Sequence, residues 1–152
     1  MREPRTNVPG LVLNESGRSR VAYMPADIDR RFAIDNLPDH GDLLANLVRR
    51  AAQGNLPLEV NGRGLIDCEL YQQPGRVILH LVNLTSAGTW RAPVHELIPV
   101  GPFKVRIRLP QGVQPTMLKM LVSQENGAAA AENGWVQFEL KSVLDHEVVV
   151  IC

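Results

Sequence analysis

Apolar and polar residues alternate along most of the chain after residue 55, which is the pattern of half-buried β-strands. From Lys104 to Leu109 the alternation is strict, with aliphatic side chains on one side and basic ones on the other. Turn-forming pairs such as Pro74-Gly75 and Asn126-Gly127 separate the apolar segments. Strands are predicted at residues 56–60, 65–71, 77–84, 105–109, 117–122, 135–140 and 147–151.

Short strands separated by turns in this way are typical of an antiparallel β-sandwich in which each sheet has one solvated face. The sequence therefore predicts a mainly β, Ig-like sandwich over residues 56–152. The alanine run at 128–131 is predicted to be a loop tip, because it is too short to nucleate a helix.

The N-terminal part has a different pattern. Residues 1–9 are charged and rich in proline, and are predicted to be a flexible lead-in. In residues 10–55 we expect two short strands, at 11–13 and 21–24, an ordered loop at 26–40 and a helix at 41–53 that ends at Gly54. The helix carries an apolar stripe formed by Leu43, Leu44, Leu47, Val48 and Ala51.

Two strands and one helix cannot close a core of their own. We therefore expect this strand-strand-helix unit to pack on the sandwich or to complete a sheet supplied by another chain or another domain. The apolar stripe needs a partner surface, so the sequence predicts a homo-oligomer.

The most informative stretch is the predicted hairpin at residues 64–85, whose turn is centred on Pro74-Gly75. This turn pairs Asp67 with Val82, Glu69 with His80, and Tyr71 with Ile78. One face is apolar and is assigned to the core: Ile66, Cys68, Leu70, Val77, Leu79 and Leu81. The other face is polar and carries Asp67, Glu69, Tyr71 and His80.

The polar face has two interpretations. Residues two apart in a strand lie ~7 Å apart, near the lower end of the carboxylate separation in inverting glycosidases. Asp67, Glu69 and His80 are therefore candidate catalytic residues, with His80 orienting Glu69. The alternative is a solvated strand face with a weak cross-strand Glu–His pair.

Two further features are candidates for ligand binding. Carboxylates at Asp27, Asp29 and Asp35 lie in the predicted loop, where they could bind a divalent cation or sugar hydroxyls, although neighbouring arginines favour structural ion pairing. Trp90 and Trp135 could stack on a sugar ring or serve as core anchors.

Composition narrows the possible functions. Sixteen basic and sixteen acidic residues cancel, and aromatic residues make up only 5%, which disfavours a nucleic-acid surface. No apolar run approaches the ~20 residues of a membrane span, and the first ten residues lack a signal-peptide core. We expect no membrane partner and, by default, a cytoplasmic location. Cys68 and Cys152 have no CxxC spacing, and no metal or cofactor is predicted.

Two stretches together resemble parts of one enzyme family. Residues 20–54, with the pattern Y-x-P-x-D-I-D-R at 23–30, resemble the last strand, loop and helix of the flavodoxin-like, glutamine-amidotransferase-like trimerisation domain of bacterial β-galactosidase-like glycoside hydrolases. GRVILHLVNLT at 75–85 and HELIPVGPFKVRIRLP at 95–110 resemble the small all-β C-terminal domain of the same hydrolases. The catalytic barrel of that family has no counterpart here, so no family catalytic residue carries over.

The resemblance implies a non-catalytic accessory or oligomerisation module that is related to glycoside hydrolases and contacts carbohydrate. The alternative is a compact stand-alone glycosidase that hydrolyses glycosidic bonds with paired carboxylates. Whether the chain is an enzyme stays open at the level of sequence.

Overall fold

The computed structural model describes residues 7–85 and 96–152. The chain divides into two compact units, Met1–Leu56 and Pro57–Cys152. The N-terminal unit contains β1 (Val12–Ser16), β2 (Ser19–Tyr23), α1 (Ile28–Asp35) and α2 (Pro38–Ala51). The C-terminal unit contains β3 (Leu58–Asn61), β4 (Ile66–Gln73), β5 (Arg76–Asn83), β6 (Phe103–Arg108), β7 (Met117–Met120), β8 (Asn126–Ala128), β9 (Ala131–Glu132), β10 (Trp135–Leu140) and β11 (His146–Ile151).

In the N-terminal unit, β1 and β2 form an antiparallel hairpin in which Ser16 lies opposite Ser19. This register leaves only Gly17 and Arg18 in the turn, and Gly17 has a φ of 57°. Tight hairpin turns need a positive φ, which glycine adopts without steric cost. The predicted strand pair is therefore present, and both strands are longer than the apolar runs that indicated them.

The prediction of a loop at residues 26–40 is wrong, because α1 lies within it. The helix ends at Asn36, which has a φ of 49° and donates its backbone N–H to the Phe32 carbonyl at 2.8 Å. An ion pair one turn apart, between Arg31 and Asp35 at 2.7 Å, stabilises the last turn. Half of the eight residues of α1 are charged, so the spacing of its apolar residues did not predict a helix.

Helix α2 begins at Pro38, three residues before the predicted start. Proline suits this position because its fixed φ fits the first helical turn and its missing N–H would have no partner there. At the other end, Gln53 and Gly54 donate their backbone N–H groups to Arg50 at 3.1 Å and Arg49 at 3.0 Å. This is a Schellman motif, and its first left-handed residue is Gln53 (φ 54°) rather than the predicted Gly54 (φ 71°).

Polar contacts fasten α2 to the hairpin. The Glu15 carboxylate forms ion pairs with Arg50 at 2.9 Å and with Arg20 at 3.4 Å. Gln53 donates its side-chain N–H to the Arg18 carbonyl in the hairpin turn at 2.8 Å. Packing contributes less, because no residue of β1, β2, α1 or α2 is buried.

The C-terminal unit confirms the predicted antiparallel β-sandwich. Its four-stranded sheet has the order β3-β6-β10-β9 and its five-stranded sheet the order β4-β5-β11-β7-β8. The core lies between the inward faces of the two sheets, where Leu79, Leu81, Ile107, Val149 and Ile151 have no exposed surface. Each of the seven predicted strands is present, within a few residues of its predicted bounds.

The hairpin of β4 and β5 has the predicted register. Asp67 lies opposite Val82, Glu69 opposite His80, and Tyr71 opposite Ile78. Gly75 has a φ of 74°, as a proline-glycine turn requires. Its predicted apolar face points into the core, with the β5 residues buried and the β4 residues packed against them.

The loop tip predicted at residues 128–131 is flanked by two short strands that were not predicted, since Ala128 ends β8 and Ala131 begins β9. Strand β8 extends the five-stranded sheet at β7, and β9 extends the four-stranded sheet at β10. Ala129 between them is buried, with 8% of its surface exposed. Both strands are only two or three residues long, too short for a detectable sequence period.

Glu147 is a buried carboxylate near the start of β11, the central strand of the five-stranded sheet, and has 3% of its surface exposed. It accepts backbone N–H groups from Val122 at 2.9 Å, Ser123 at 3.0 Å and Val148 at 2.8 Å. Burial alone raises its pKa, but these hydrogen bonds outweigh burial and lower the pKa below its ordinary value. The carboxylate thus anchors the turn that follows β7.

We expect Glu147→Gln to lower the free energy of unfolding by about 2 kcal/mol at pH 7, because an amide is a weaker acceptor and brings a donor toward N–H groups. A lowered folded-state pKa means that the ionised group stabilises the fold above its ordinary pKa. In the wild type this contribution is lost as the pH falls below the ordinary value of 4.5. Urea unfolding from pH 7 to pH 3 should show a shallower pH dependence in the variant. Glu139→Gln, at an exposed position of β10, is the control. An equal loss of unfolding free energy in both variants would contradict the anchoring role of Glu147.

No helix in the described part of the chain is long and apolar enough to cross a membrane.

Candidate functional site

The polar face of the β4–β5 hairpin lies at the edge of the five-stranded sheet, because β4 is its outermost strand. Asp67, Glu69 and Tyr71 project from β4 and are exposed, whereas His80 on β5 is half-buried. The fold therefore places the predicted residues on one surface, and the backbone of Glu69 lies directly opposite that of His80.

The contacts on this face centre on Tyr71. Its hydroxyl donates a hydrogen bond of 2.6 Å to the Glu69 carboxylate. Its ring meets the His80 ring edge to face, with centroids 5.5 Å apart. The hydrogen bond to Glu69 and the carboxylate charge raise the pKa of Tyr71 above its ordinary value, since both favour the protonated phenol. Glu69 is thus held by Tyr71, while His80 packs against the ring.

We expect Glu69→Gln to return the pKa of Tyr71 toward its ordinary value, because the variant removes both the charged acceptor and the nearby negative charge. NMR titration of the tyrosine ring carbons measures this directly, since Tyr71 and Tyr23 are the two tyrosines of the chain. Asp67→Asn on the same strand is the control and should leave the Tyr71 titration nearly unchanged. An unaltered titration in Glu69→Gln would mean that the hydrogen bond does not form in solution.

The predicted acidic cluster is spread along α1 and does not converge. Asp27 precedes the helix and pairs with Arg30 at 3.6 Å, and Asp35 ends it, paired with Arg31 at 2.7 Å. Asp29 lies in the first turn and lines a groove of the N-terminal unit. The arrangement matches the ion-pairing interpretation for two of the three carboxylates.

The described residues contain no cluster of metal ligands and no disulfide. No group of three or more histidine, cysteine, aspartate or glutamate side chains there is placed to hold a metal ion. Cys68 and Cys152 are free and half-buried. Burial, and secondarily the Asp67 charge, raise the pKa of the Cys68 thiol, so its thiolate is disfavoured.

Of the two tryptophans, the structure describes Trp135 only. Trp90 lies outside the described residues, so its proposed ligand contact stays a prediction. Trp135 is half-buried at the start of β10. The guanidinium groups of Arg106 and Arg108 lie over its ring, 4.7 and 4.8 Å from the centroid. Trp135 is therefore covered by cations through cation–π contacts and is not a bare platform.

A cavity of about 310 Å³ opens in the C-terminal unit beside the predicted polar face. Both sheets contribute to it: residues 70–72 of β4 and Val77 of β5 on one side, and Pro57 with residues 108–110 on the other. Its polar groups are Tyr71, Gln72 and Arg108, whereas Asp67, Glu69 and His80 do not line it. We name it the sandwich cavity.

The N-terminal unit has an open groove of about 580 Å³ between β2, the start of α1, and α2. Leu44, Leu47 and Val48 of the predicted helix stripe line it together with Val21 of β2. Val48 and Val21 have 58% and 51% of their surface exposed. We name it the helix groove.

Two residues of the sequence pattern H-L-V-N-L-T have a structural role that the sequence analysis missed. The buried Asn83 amide donates to the carbonyls of Ile98 and Leu144 at 2.7 Å and of Val143 at 3.3 Å. The Thr85 hydroxyl accepts the Leu65 N–H at 2.7 Å. The sequence did contain a signal for this role, namely an asparagine on the apolar face of a strand at a position where an aliphatic residue is expected.

No protein-family model matches the chain, and no curated protein matches it either. Among solved structures it is similar to α-L-fucosidase isoenzyme 2 from Paenibacillus thiaminolyticus, with a TM-score of 0.71 and 20% sequence identity. The match covers 94% of this chain and 22% of the fucosidase chain. At this identity the likeness shows the fold alone, and the chain spans about a fifth of the length of that enzyme.

Proposed function

We propose that the chain is a non-catalytic accessory module related to glycoside hydrolases, and that its N-terminal unit joins copies of the chain into a homo-oligomer. The similarity in fold to part of a fucosidase supports the general relationship. The sequence patterns at residues 23–30 and 80–85 favour a finer assignment, to the end of the trimerisation domain and the C-terminal domain of β-galactosidase-like enzymes.

The observation that carries the proposal is the open helix groove. Helix α2 has an apolar stripe, yet none of its residues is buried. Among the described residues, the two-stranded sheet beside it has no further strand, so β2 has an edge there that is unpaired and lines the same groove. An amphipathic helix gains its stability mainly from packing its apolar face, so a partner surface is the expected complement. A second copy of this chain supplies such a surface, so no other protein is required.

The polar face gives little support to the glycosidase alternative. Glycosidase carboxylates flank a bound sugar within a cleft. Asp67 and Glu69 are exposed on an edge strand, and the nearby sandwich cavity is not lined by either. Glu69 is also occupied by the Tyr71 hydroxyl. These features suit a solvated strand face better than a pair of catalytic groups.

A panel of nitrophenyl glycosides, including α-L-fucoside and β-D-galactoside, tests whether the chain is catalytic. We expect hydrolysis at the uncatalysed rate with the wild type, because residues 7–85 and 96–152 contain no enclosed carboxylate pair. Glu69→Gln and Asp67→Asn should be indistinguishable from the wild type. Turnover by the wild type that falls about 100-fold or more in either variant would establish the glycosidase alternative.

A further inference from the structure

We propose that the outer edge of β4 binds an extended peptide segment of a partner protein, in which basic and apolar residues alternate. The added strand runs antiparallel to β4, with its basic side chains on the solvated face of the sheet and its apolar side chains toward the core. The site belongs to the C-terminal unit, so this interaction goes beyond the proposed assembly through the N-terminal unit.

Strand β4 offers an unpaired backbone edge eight residues long, because it is the outermost strand of its sheet in the described part of the chain. Its hairpin places Gln73 opposite Arg76. A two-residue turn closes on a hydrogen-bonded pair, and such pairs alternate along an antiparallel ladder. Cys68, Leu70 and Gln72 therefore turn their N–H and C=O groups away from β5. An edge of this kind is a template for an added strand.

The solvated face beside this edge is acidic. Asp67 and Glu69 are exposed, and neither forms an ion pair within residues 7–85 and 96–152. The Tyr71 hydroxyl holds the Glu69 carboxylate close to the strand through a hydrogen bond of 2.6 Å. Opposite charges attract when they lie side by side on neighbouring strands. Two basic residues in alternate positions of an added strand would thus face two carboxylates.

A second copy of this chain fits the edge poorly. Pairing two β4 strands would bring Asp67 and Glu69 of both copies together on one face, where like charges repel. Basic and apolar residues do alternate within this chain, in β6. However, β6 is already paired on both sides, by β3 and β10. The complementary strand therefore comes from another protein.

The sandwich cavity provides room for an apolar side chain of the added strand. Leu70 and Gln72 line it from β4, and Pro57 lines it just before β3, the outermost strand of the other sheet. The cavity thus lies where the outer strands of both sheets meet. Directly opposite residues of neighbouring strands share a face, so the residue opposite Leu70 points to the core side. Leu109 and Pro110 supply further apolar surface there.

NMR titration of the ¹⁵N-labelled full chain with the capped peptide TKVKVKT tests the proposal. We expect a dissociation constant below about 1 mM. The amide signals of Cys68, Leu70 and Gln72 should shift most, because their N–H groups gain hydrogen bonds, whereas those of Glu69 and Tyr71 already bond to β5. The peptide TEVEVET is the charge control and should bind about 10-fold more weakly or worse.

Two N-methylated forms of the basic peptide test the antiparallel arrangement. In that arrangement the valines lie opposite Cys68 and Leu70 and exchange hydrogen bonds with them. Methyl groups on the valine nitrogens should therefore abolish the shifts. A methyl group on the central lysine nitrogen, which faces solvent, should leave the affinity within about threefold.

A variant that carries both Asp67→Asn and Glu69→Gln tests the role of the acidic face. Its affinity for TKVKVKT should fall about 10-fold. The matched control carries Glu132→Gln and Glu139→Gln, which make the same change in net charge at exposed positions of the other sheet. The control should retain the affinity within about twofold.

Four results would overturn the proposal. They are the absence of amide shifts on β4 with about 2 mM peptide, equal binding of the basic and acidic peptides, equal effects of the two kinds of N-methylation, and full affinity in the variant that lacks both carboxylates. None of these measurements depends on whether the N-terminal unit forms an oligomer.

Discussion

Asn83→Asp is expected to lower the free energy of unfolding by about 3 kcal/mol or more, the largest effect of any single substitution considered for this protein. The change keeps the size and shape of the side chain. It replaces a buried amide donor with a carboxylate oxygen at a position that is 8% exposed. Chemical denaturation at pH 7, followed by far-UV circular dichroism, gives the measurement.

The physical reason is the set of carbonyl groups that surround the amide. Asn83 donates to Ile98, Leu144 and Val143, at 2.7, 2.7 and 3.3 Å. Its own oxygen accepts the Thr85 N–H at 2.9 Å. A carboxylate could keep the bond from Thr85, but its second oxygen would face the carbonyl oxygens without a proton between them. The end of β5 would lose its link to the segment before β6 and to the turn between β10 and β11.

Asn61→Asp is the matched control because Asn61 is exposed at the end of β3. The same chemical change there should alter the stability by less than about 0.5 kcal/mol. If the two variants were equally stable, the amide of Asn83 would not be the link between these segments.

Val48→Asp is expected to dissociate the homo-oligomer while leaving the fold intact. Val48 lines the helix groove and has 58% of its surface exposed, so an aspartate there remains hydrated in the free chain. In an assembled groove the charge would be buried against apolar surface, which costs several kcal/mol, and Arg20 in the groove is already paired with Glu15 at 3.4 Å. We expect the dissociation constant to rise about 100-fold or more, as measured by analytical ultracentrifugation.

Leu144→Asp is the control, since Leu144 is an aliphatic residue of the C-terminal unit with 54% of its surface exposed. It should sediment like the wild type. If both variants assembled normally, the helix groove would not be the interface. If both dissociated, association would depend on general surface hydrophobicity and not on the groove.

The β4–β5 hairpin illustrates what the sequence could predict. Its register followed from two constraints, a two-residue turn at Pro74-Gly75 and an apolar face with a period of two. A shift by one residue would have moved every apolar side chain of β4 from the core to the solvent. The strands of the sandwich were predictable for the same reason, because the alternation of side chains is a consequence of burial on one face.

The N-terminal unit was less predictable because burial does not impose a pattern on it. Helix α1 is set by ion pairs and by Asn36 in the left-handed conformation, not by an apolar stripe. The end of α2 was predicted two residues too late, at residue 53 instead of Ala51, because Gln53 adopts a positive φ that is usual for glycine. Such local choices depend on tertiary contacts, such as the hydrogen bond from Gln53 to the Arg18 carbonyl.

The candidate sites likewise include residues that the sequence placed correctly and residues that it did not predict. Residues on one hairpin face, such as Glu69 and His80, were correctly placed together, since neighbouring strands bring them together. The sandwich cavity was not predicted, because Tyr71 and Arg108 are distant in sequence and belong to different sheets. The role of Asn83 was missed because its carbonyl partners are backbone atoms, which leave no trace in the residue types.

Sedimentation equilibrium of the wild-type chain over a wide range of concentrations tests the central claim most directly. The open helix groove predicts a mass that rises with concentration to a multiple of the 16.8 kDa protomer. A mass of 16.8 kDa at every concentration, up to the highest that stays soluble, would contradict the claim that the N-terminal unit is an oligomerisation element.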